Sequence, residues 1–193
     1  MDKIHPGTKA TETINHVVKS NENLIYATVP INIDGKKTNI LVVSEDMNIL
    51  DEPKIKKLLP NLAILARDKI MPEHKEGFSW GDCDTVAYTA KKFLEQMYGE
   101  FSQDYDIGTI HCSQSASTKN LLHDKGHDWH MLNIIEVFLK KGSIFLAVDF
   151  TANHNLDDYL GNYQIFCITS TSQKDLEEKV RKFYKMKVEE IKF

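Results

Sequence analysis

The sequence contains three residues whose types and positions suggest nucleophilic catalysis: Cys83, His130 and Asp149. A cysteine sulfur attacks carbonyl carbon effectively when a nearby base takes the thiol proton and a third group orients that base. Cys83 is expected in the first turn of a helix, where free backbone N–H groups stabilise negative charge on a thiolate or on a substrate oxyanion. The three residues therefore predict a nucleophile, a base and an orienting acid.

The helix that follows Cys83 has the clearest pattern in the chain. Its apolar residues recur at steps of three and four, namely Val86, Ala87, Ala90, Phe93, Leu94 and Met97. Such a stripe is typical of an amphipathic helix, and Gly99 is a natural stop. Cys83 lies three residues before the stripe begins, so its side chain is expected on the buried face at the start of the helix.

Two apolar segments are expected to carry the base and the acid. MLNIIEVFL and SIFLAVDFT are separated by a KKGS turn, which predicts a β-hairpin. His130 enters the first strand, and Asp149 lies in the second. An acid within an apolar strand is costly unless it is paired, which favours a partner for Asp149.

The choice of histidine has an alternative, because GHDWHML contains both His127 and His130. We favour His130 because it abuts the apolar strand, and a regular element positions a side chain better than a loop does. His111, beside Cys112, is a lesser alternative base.

The segment LLHDKGHDWH also suggests a metal site. Its competent ligands are His123, Asp124, His127, Asp128 and His130. Gly126 argues against an intact helix that would place two histidines on one side. We therefore expect neither a metal nor a cofactor.

These motifs resemble a known family. Gly-Asp-Cys opening an amphipathic helix, a histidine and tryptophan beside a strand, and a Val-Asp-Phe-Thr return strand are similar to the transglutaminase-like branch of the papain-like enzymes. The resemblance covers roughly Trp80 to Thr151. It implies an α+β fold in which a helix bearing the nucleophile packs on an antiparallel β-sheet. It also implies Cys83 as nucleophile, His130 as base and Asp149 as orienter.

Members of that family are peptidases, protein-glutamine transglutaminases or deamidases, and acetyltransferases. Papain-type peptidases resemble one another in a glutamine shortly before the cysteine, and no glutamine precedes Cys83 in this chain. This difference favours the transglutaminase-like branch. Trp80 or backbone amides would then have to stabilise the oxyanion.

Substrate contacts are expected close to the nucleophile and the base. Trp80 and Trp129 flank Cys83 and His130 in sequence, and they either wall a substrate groove or belong to the core. Gly81 lets backbone and substrate approach closely. Trp80, Gly81 and Trp129 are therefore the candidate substrate-binding residues.

The rest of the chain provides the framework. Residues 1–23 are expected to form a peripheral helix or an arm. LIYATVPINI and TNILVVS, joined by Asp34-Gly35, predict a hairpin at one edge of the fold. KIKKLLPNLAILARDKI predicts one kinked helix or two short ones, because Pro60 interrupts it. DIGTIHCS and YQIFCITS are expected strands, and the segment LEEKVRKFYKMKV, preceded by the capping pair Ser172 and Asp175, is expected to be a surface helix.

Composition limits the classes of function. With 193 residues and 41% hydrophobic content, the chain is expected to form a single catalytic domain over residues 1–193. The charge balance of 24 basic and 28 acidic residues, without a basic patch, makes nucleic acid an unexpected partner. No apolar run is long enough for a membrane span, and no signal peptide is visible. We expect a cytoplasmic protein, or an effector secreted without a cleaved signal.

The three cysteines are expected to be reduced, because their number is odd and the chain is large enough to have its own core. Cys112 and Cys167 lie in apolar, strand-like runs and are interpreted as buried structural thiols.

These observations predict a cysteine-dependent acyl-transfer enzyme that acts on a protein or peptide amide through a thioester on Cys83. With water as the acceptor it would be a glutamine deamidase or a peptidase, and with an amine it would be transglutaminase-like. Two alternatives stay open: a catalytically inactive relative that binds a peptide in the same groove, and a metal-dependent hydrolase that uses the His/Asp cluster. The sequence does not specify an oligomeric state.

Overall fold

The described part of the chain is built around one mixed β-sheet with three helices. The computed structural model describes residues 24–73, 82–99, 102–114, 129–152 and 165–193. The elements are β1 (Ile25–Ile33), β2 (Lys36–Ser44), α1 (Pro53–Leu65), α2 (Asp82–Tyr98), β3 (Tyr105–Gln114), β4 (Trp129–Leu139), β5 (Gly142–Asp149), β6 (Ile165–Ser170), α3 (Gln173–Tyr184) and β7 (Met186–Lys192). The expected peripheral helix or arm at residues 1–23 lies outside the described residues.

The seven strands that the structure describes form a single sheet in the order β1-β2-β6-β5-β4-β3-β7. Neighbouring strands are antiparallel throughout, except that β2 and β6 run parallel. The expectation of a mixed fold with a largely antiparallel sheet is therefore confirmed. None of the described helices is both long and apolar enough to cross a bilayer.

Both predicted hairpins are present. β1 and β2 are joined at Asp34 and Gly35, whose φ angles of 51° and 76° are the left-handed pair that a tight two-residue hairpin turn requires. β1 is an edge strand, as predicted. β4 and β5 form the second hairpin, which carries His130 and Asp149.

The sheet buries apolar side chains on both faces. On one face, α1 and α2 pack over alternate strand residues: Ile55, Leu58, Leu62, Val86, Ala90 and Leu94 meet Ile135, Val137 and Val148. On the other face, Leu176, Val180 and Tyr184 of α3 meet Leu132, Ile134 and Ala147. Because successive strand residues point to opposite faces, a sheet covered on both sides needs the near-continuous apolar runs that β4 and β5 have.

The helix after Pro53 does not break at Pro60. α1 continues through that residue to Leu65, and the winding changes only afterwards, in a π-helical turn over Ala66–Ile70. Instead of an interruption at Pro60, the structure has one continuous helix, and the type of helix changes only after Leu65.

α2 has the predicted bounds and runs in the same direction as β4. It ends at Gly99, where φ is 89° and the N–H donates to Glu95 O at 2.7 Å. Asn133 Nδ2 of β4 donates to Ala87 O at 2.8 Å, and Lys91 Nζ donates to Ile107 O at 2.6 Å. These bonds hold the middle of α2 against β4 and β3.

The prediction for the C-terminal segment was wrong beyond Tyr184. Ser172 caps α3, with its Oγ accepting from Asp175 N at 3.2 Å, as the sequence suggested. The helix then ends at Lys185, whose φ is 52°, and β7 pairs with β3. The unpaired N–H and C=O groups of β3 offer a ladder that outweighs the helical propensity of these residues.

Gly108 is needed for the close approach of β7 to β3. A Cβ atom at Gly108 would lie 2.1 Å from Lys192 O and 2.9 Å from Ile134 Cγ2. Because the first neighbour is backbone, we expect Gly108→Ala to displace β7 and to lower the free energy of unfolding by about 1–3 kcal/mol. Chemical denaturation and amide hydrogen exchange of β7 would measure this effect. Unchanged stability with unchanged β7 protection would contradict it.

Candidate active site

His130 and Asp149 are in direct contact at one end of the sheet. His130 is the second residue of β4, and Asp149 is the last residue of β5. His130 Nε2 lies 2.9 Å from Asp149 Oδ2, and each side chain is only 2% exposed. Asp149 therefore has the partner that its apolar surroundings require, and Nδ1 of His130 remains for another group.

Cys83 reaches the same imidazole from the helix. It is the second residue of α2, and its thiol lies close enough to the imidazole to contribute to the raised pKa of His130. The residue is 8% exposed, whereas His130 and Asp149 are exposed by 1% and 2%. The structure thus brings the three predicted residues together around one imidazole, with Asp149 bonded to its Nε2, Cys83 nearby, and the thiol closest to solvent.

Two residues that the sequence did not single out complete the surroundings of Asp149. The Tyr184 hydroxyl donates to Asp149 Oδ2 at 2.7 Å. The backbone N–H and the hydroxyl of Thr151 both donate to Asp149 Oδ1 at 2.8 Å. With His130, these donors direct four hydrogen bonds to the carboxylate, which is the full capacity of its two oxygens. The network fixes the carboxylate and, through it, the plane of the imidazole.

The charges of His130 and Asp149 stabilise each other. Burial alone would lower the pKa of His130, but the charge and hydrogen bond of Asp149, together with Cys83, raise that pKa to about 10. Burial alone would raise the pKa of Asp149, but the charge of His130 and the hydrogen bonds from His130, Tyr184 and Thr151 hold that pKa below its ordinary value. At neutral pH the pair is therefore an imidazolium and a carboxylate.

The two other cysteines differ from Cys83 in their surroundings. Burial, with a contribution from the charge of Asp149, raises the pKa of the Cys112 thiol to about 12. The same two causes raise the pKa of Cys167, which is fully buried. All three cysteines are free. Cys112 and Cys167 remain protonated at neutral pH, as is usual for structural thiols.

A cavity of about 380 Å³ lies between the start of α2 and the strands β3, β4 and β7. It is lined by Asp84, Tyr88, His111, Cys112, Ser113, Trp129, Met131 and Glu189. Asp84 follows Cys83 in the chain, but Trp129 and Met131 point to the opposite face of the sheet from His130, so the cavity lies beside the start of α2. Trp129, one of the predicted substrate-binding residues, therefore lines a space that a substrate could occupy.

Several predicted residues lie outside the described ranges. These are Trp80, Gly81, His127, His123, Asp124 and Asp128. Within the residues that the structure does describe, no group of three or more histidine, cysteine or acidic side chains could hold a metal ion. His130 is the one member of the suggested metal cluster in these ranges, and its Nε2 is engaged with Asp149.

The Tyr184 hydroxyl allows a stability test of the network. Burial and the charge of Asp149 raise the pKa of Tyr184 well above its ordinary value, so the hydroxyl stays protonated as a donor. We expect Tyr184→Phe to lower the free energy of unfolding by about 1.5–3 kcal/mol, because the bond goes to a buried carboxylate. Tyr105→Phe is the matched control, because the Tyr105 hydroxyl donates to an uncharged acceptor, the backbone carbonyl oxygen of Lys54, at 3.0 Å. Its removal should lower the free energy of unfolding by less. If urea denaturation shows the same loss of unfolding free energy for both variants, the Asp149 acceptor is not charged.

No known protein family, curated protein or solved structure matches this chain. Its function must therefore be argued from the chemistry of the site. What the site offers is a sparingly exposed thiol, a histidine that can accept and return its proton, and a carboxylate fixed by four donors.

Proposed function

We propose that the chain is a cysteine-dependent acyl-transfer enzyme that acts on a protein or peptide amide through a thioester on Cys83. The observation that carries this proposal is the buried contact between His130 and Asp149, with the Cys83 thiol close enough to the same imidazole to affect its pKa. Burying an ion pair of this kind is costly unless other groups compensate it, and here the hydrogen bonds from Tyr184 and Thr151 do so. Titratable groups with strongly perturbed pKa values cluster at active sites.

In the form that reacts, the Cys83 thiol proton already lies on His130 at Nδ1, because Nε2 is held by Asp149, so a thiolate faces the imidazolium. The sulfur then forms a bond to the carbonyl carbon of the amide. His130 returns the proton to the nitrogen as the C–N bond breaks, which releases ammonia from a glutamine side chain or an amine from a peptide bond. The product is a thioester on Cys83.

In the second step, an acceptor attacks the thioester carbonyl and gives its proton to His130 as the C–S bond breaks. Water yields a carboxylic acid, which is deamidation or peptide hydrolysis. An amine yields a new amide, which is transglutaminase chemistry. Asp149 holds the imidazole in one orientation and stabilises its charged form in both steps.

The arrangement of elements supports a papain-like fold of the transglutaminase-like kind. α2 carries the nucleophile at its start and packs on the sheet, and the antiparallel strands β4 and β5 carry the base and the acid. The backbone N–H groups at the start of α2 are donors that could stabilise the oxyanion. Trp129 would contact the substrate from the cavity beside the start of α2.

Thiol labelling across a pH series tests this proposal. We expect iodoacetamide to modify Cys83 faster than a free thiol at neutral pH, while Cys112 and Cys167 in the same chain serve as internal controls. Mass spectrometry of glutamine-containing peptides incubated with the protein would then reveal a deamidation, a cross-link or a cut.

Two outcomes would select the alternatives. If the protein binds peptides but its Cys83 thiol reacts no faster than a free thiol, the chain is an inactive, peptide-binding relative. Activity that a chelator abolishes and that Cys83→Ala retains would indicate a metal-dependent hydrolase.

A further inference from the structure

The aromatic ring of Tyr184 contacts the imidazole of His130, in addition to the bond that its hydroxyl makes to Asp149. The two ring centroids lie 5.2 Å apart, and the ring planes are tilted by 34°. This separation is within the range of stacked aromatic pairs, and it is short enough for a ring face to attract a cation. One side chain therefore contacts both members of the buried pair, the carboxylate through its hydroxyl and the imidazole through its ring.

Tyr184 is itself held firmly by its neighbours. It is fully buried and is the last residue of α3. Its ring makes edge contacts with Phe183, at 5.3 Å between centroids, and with Phe166, at 6.4 Å. The chain then turns at Lys185, whose φ is 52°, into β7, which pairs with β3. A side chain packed at the junction of a helix and a strand has little freedom to move, so it can restrain the group that it contacts.

The groups that face His130 restrain it in different ways. Asp149, on β5, binds Nε2, and Cys83, at the start of α2, lies near the imidazole. Cys112 is the cross-strand neighbour of His130 on β3, and it remains protonated at neutral pH. The torsion that turns an imidazole about its bond to Cβ is broad, and a hydrogen bond tolerates a range of angles. A ring packed on the imidazole restricts its plane further, and Tyr184 supplies that ring.

We propose that Tyr184 is a positioning residue of the reaction, whose ring holds the imidazole of His130 with Nδ1 directed at Cys83. This inference rests on the proposed function. The ring face also stabilises the positive charge that the imidazole carries while Cys83 is a thiolate. Both effects favour the charged pair that reacts. The hydroxyl acts separately, by stabilising the fold through its bond to Asp149.

Iodoacetamide labelling of Cys83, from mildly acidic to alkaline pH, tests this role without a substrate. Tyr184→Met replaces the ring with a flexible chain that still fills much of the space, whereas Tyr184→Phe keeps the ring and removes the hydroxyl. At neutral pH we expect Tyr184→Met to slow labelling by roughly five- to tenfold, because fewer Cys83 thiols are ionised. At alkaline pH a thiol is ionised without help from an imidazolium, so the rates should converge. Tyr184→Phe should label like the unaltered protein.

Phe183→Met is the matched control for the loss of a ring. Phe183 precedes Tyr184 in α3, and its ring packs on Phe166 with 4.5 Å between centroids. This change should leave the labelling profile of Cys83 as it is in the unaltered protein. Labelling of the buried Cys112 in the same samples reports a loss of the fold. If Tyr184→Met unfolds by this measure, Tyr184→Leu provides a second variant without a ring.

Three outcomes would contradict the inference. The first is the same labelling profile for Tyr184→Met and Phe183→Met. The second is a loss of neutral-pH labelling in Tyr184→Phe as large as in Tyr184→Met, which would assign the effect to the hydroxyl. The third is an unchanged ratio of neutral to alkaline rates in Tyr184→Met together with lower stability, which would show a purely structural role. Failure of the acyl-transfer proposal differs from all three, because Cys83 of the unaltered protein would then label no faster than a free thiol.

Discussion

Replacing Cys83 with alanine is expected to lower amide turnover by at least ~10³-fold, because the other two thiols, Cys112 and Cys167, stay protonated at neutral pH. The thioester adduct itself should disappear from mass spectra of the protein mixed with substrate. The fold should survive, since the substitution removes one sulfur from a site that is 8% exposed. Steady-state kcat/KM and intact-protein mass spectrometry measure both effects.

Cys83→Ser and Cys112→Ala provide the controls. The serine variant preserves the volume of the side chain but supplies a much weaker nucleophile, so its turnover should be close to that of alanine. Cys112→Ala removes a thiol that lines the cavity and remains protonated, and it should retain iodoacetamide labelling at Cys83. Turnover by Cys83→Ala close to that of the unaltered protein would refute a thioester mechanism.

Asp149→Asn is expected to lower kcat by roughly 10²–10⁴-fold while Cys83 stays in place, because the imidazole loses the group that orients it and stabilises its charge. The same change should lower stability by about 3–5 kcal/mol, since it leaves one member of a buried charged pair without its partner. Single-turnover kinetics and urea denaturation measure the two effects separately.

The charged pair of His130 and Asp149 also predicts how the free energy of unfolding changes with pH. The pKa of His130 in the fold is about 10, against about 6.5 when unfolded, so its contribution is fully present below pH 6.5 and is lost as pH rises through 10. The pKa of Asp149 is lowered, so its contribution is present above its ordinary pKa and is lost as pH falls through the folded value. Asp149→Asn should flatten both slopes.

Tyr184→Phe is a milder change to the same network and serves as a comparison for Asp149→Asn. It removes one of the four hydrogen bonds to the carboxylate and keeps the charge, so both slopes should persist with a smaller loss of kcat. A flat stability profile between pH 6.5 and 10 in the unaltered protein would show that His130 and Asp149 are not a charged pair.

Local patterns predicted most of the individual elements. The hairpins were visible because turn residues and strand residues stand next to each other in sequence, as at Asp34-Gly35. α2 was visible because its apolar stripe is regular. The parallel pairing of β2 with β6 was not predictable, since no local signal states which distant strand becomes a neighbour. β7 was missed for the same reason, because its structure depends on the free edge of β3.

The site was predictable in part. The need of Asp149 for a partner followed from the cost of an acid in an apolar strand, and the structure places His130 there. Tyr184 was missed because α3 was interpreted as a surface helix, although Leu176, Val180 and Tyr184 recur at steps of four and indicate a buried stripe. Thr151 could have been found, since an aspartate often accepts hydrogen bonds from the residue two positions later. The catalytic roles themselves stay predictions.

The parallel pairing of β2 with β6 has a consequence for the rate at which the protein folds. The hairpin of β4 and β5 closes a short loop and can form within microseconds, so His130 and Asp149 can meet early. Joining residues 36–44 to residues 165–170 closes the longest loop in the sheet, and contacts of such separation slow folding. Tyr184 follows β6 in α3, and its bond to Asp149 is therefore expected to form late, after the imidazole and the carboxylate have already met.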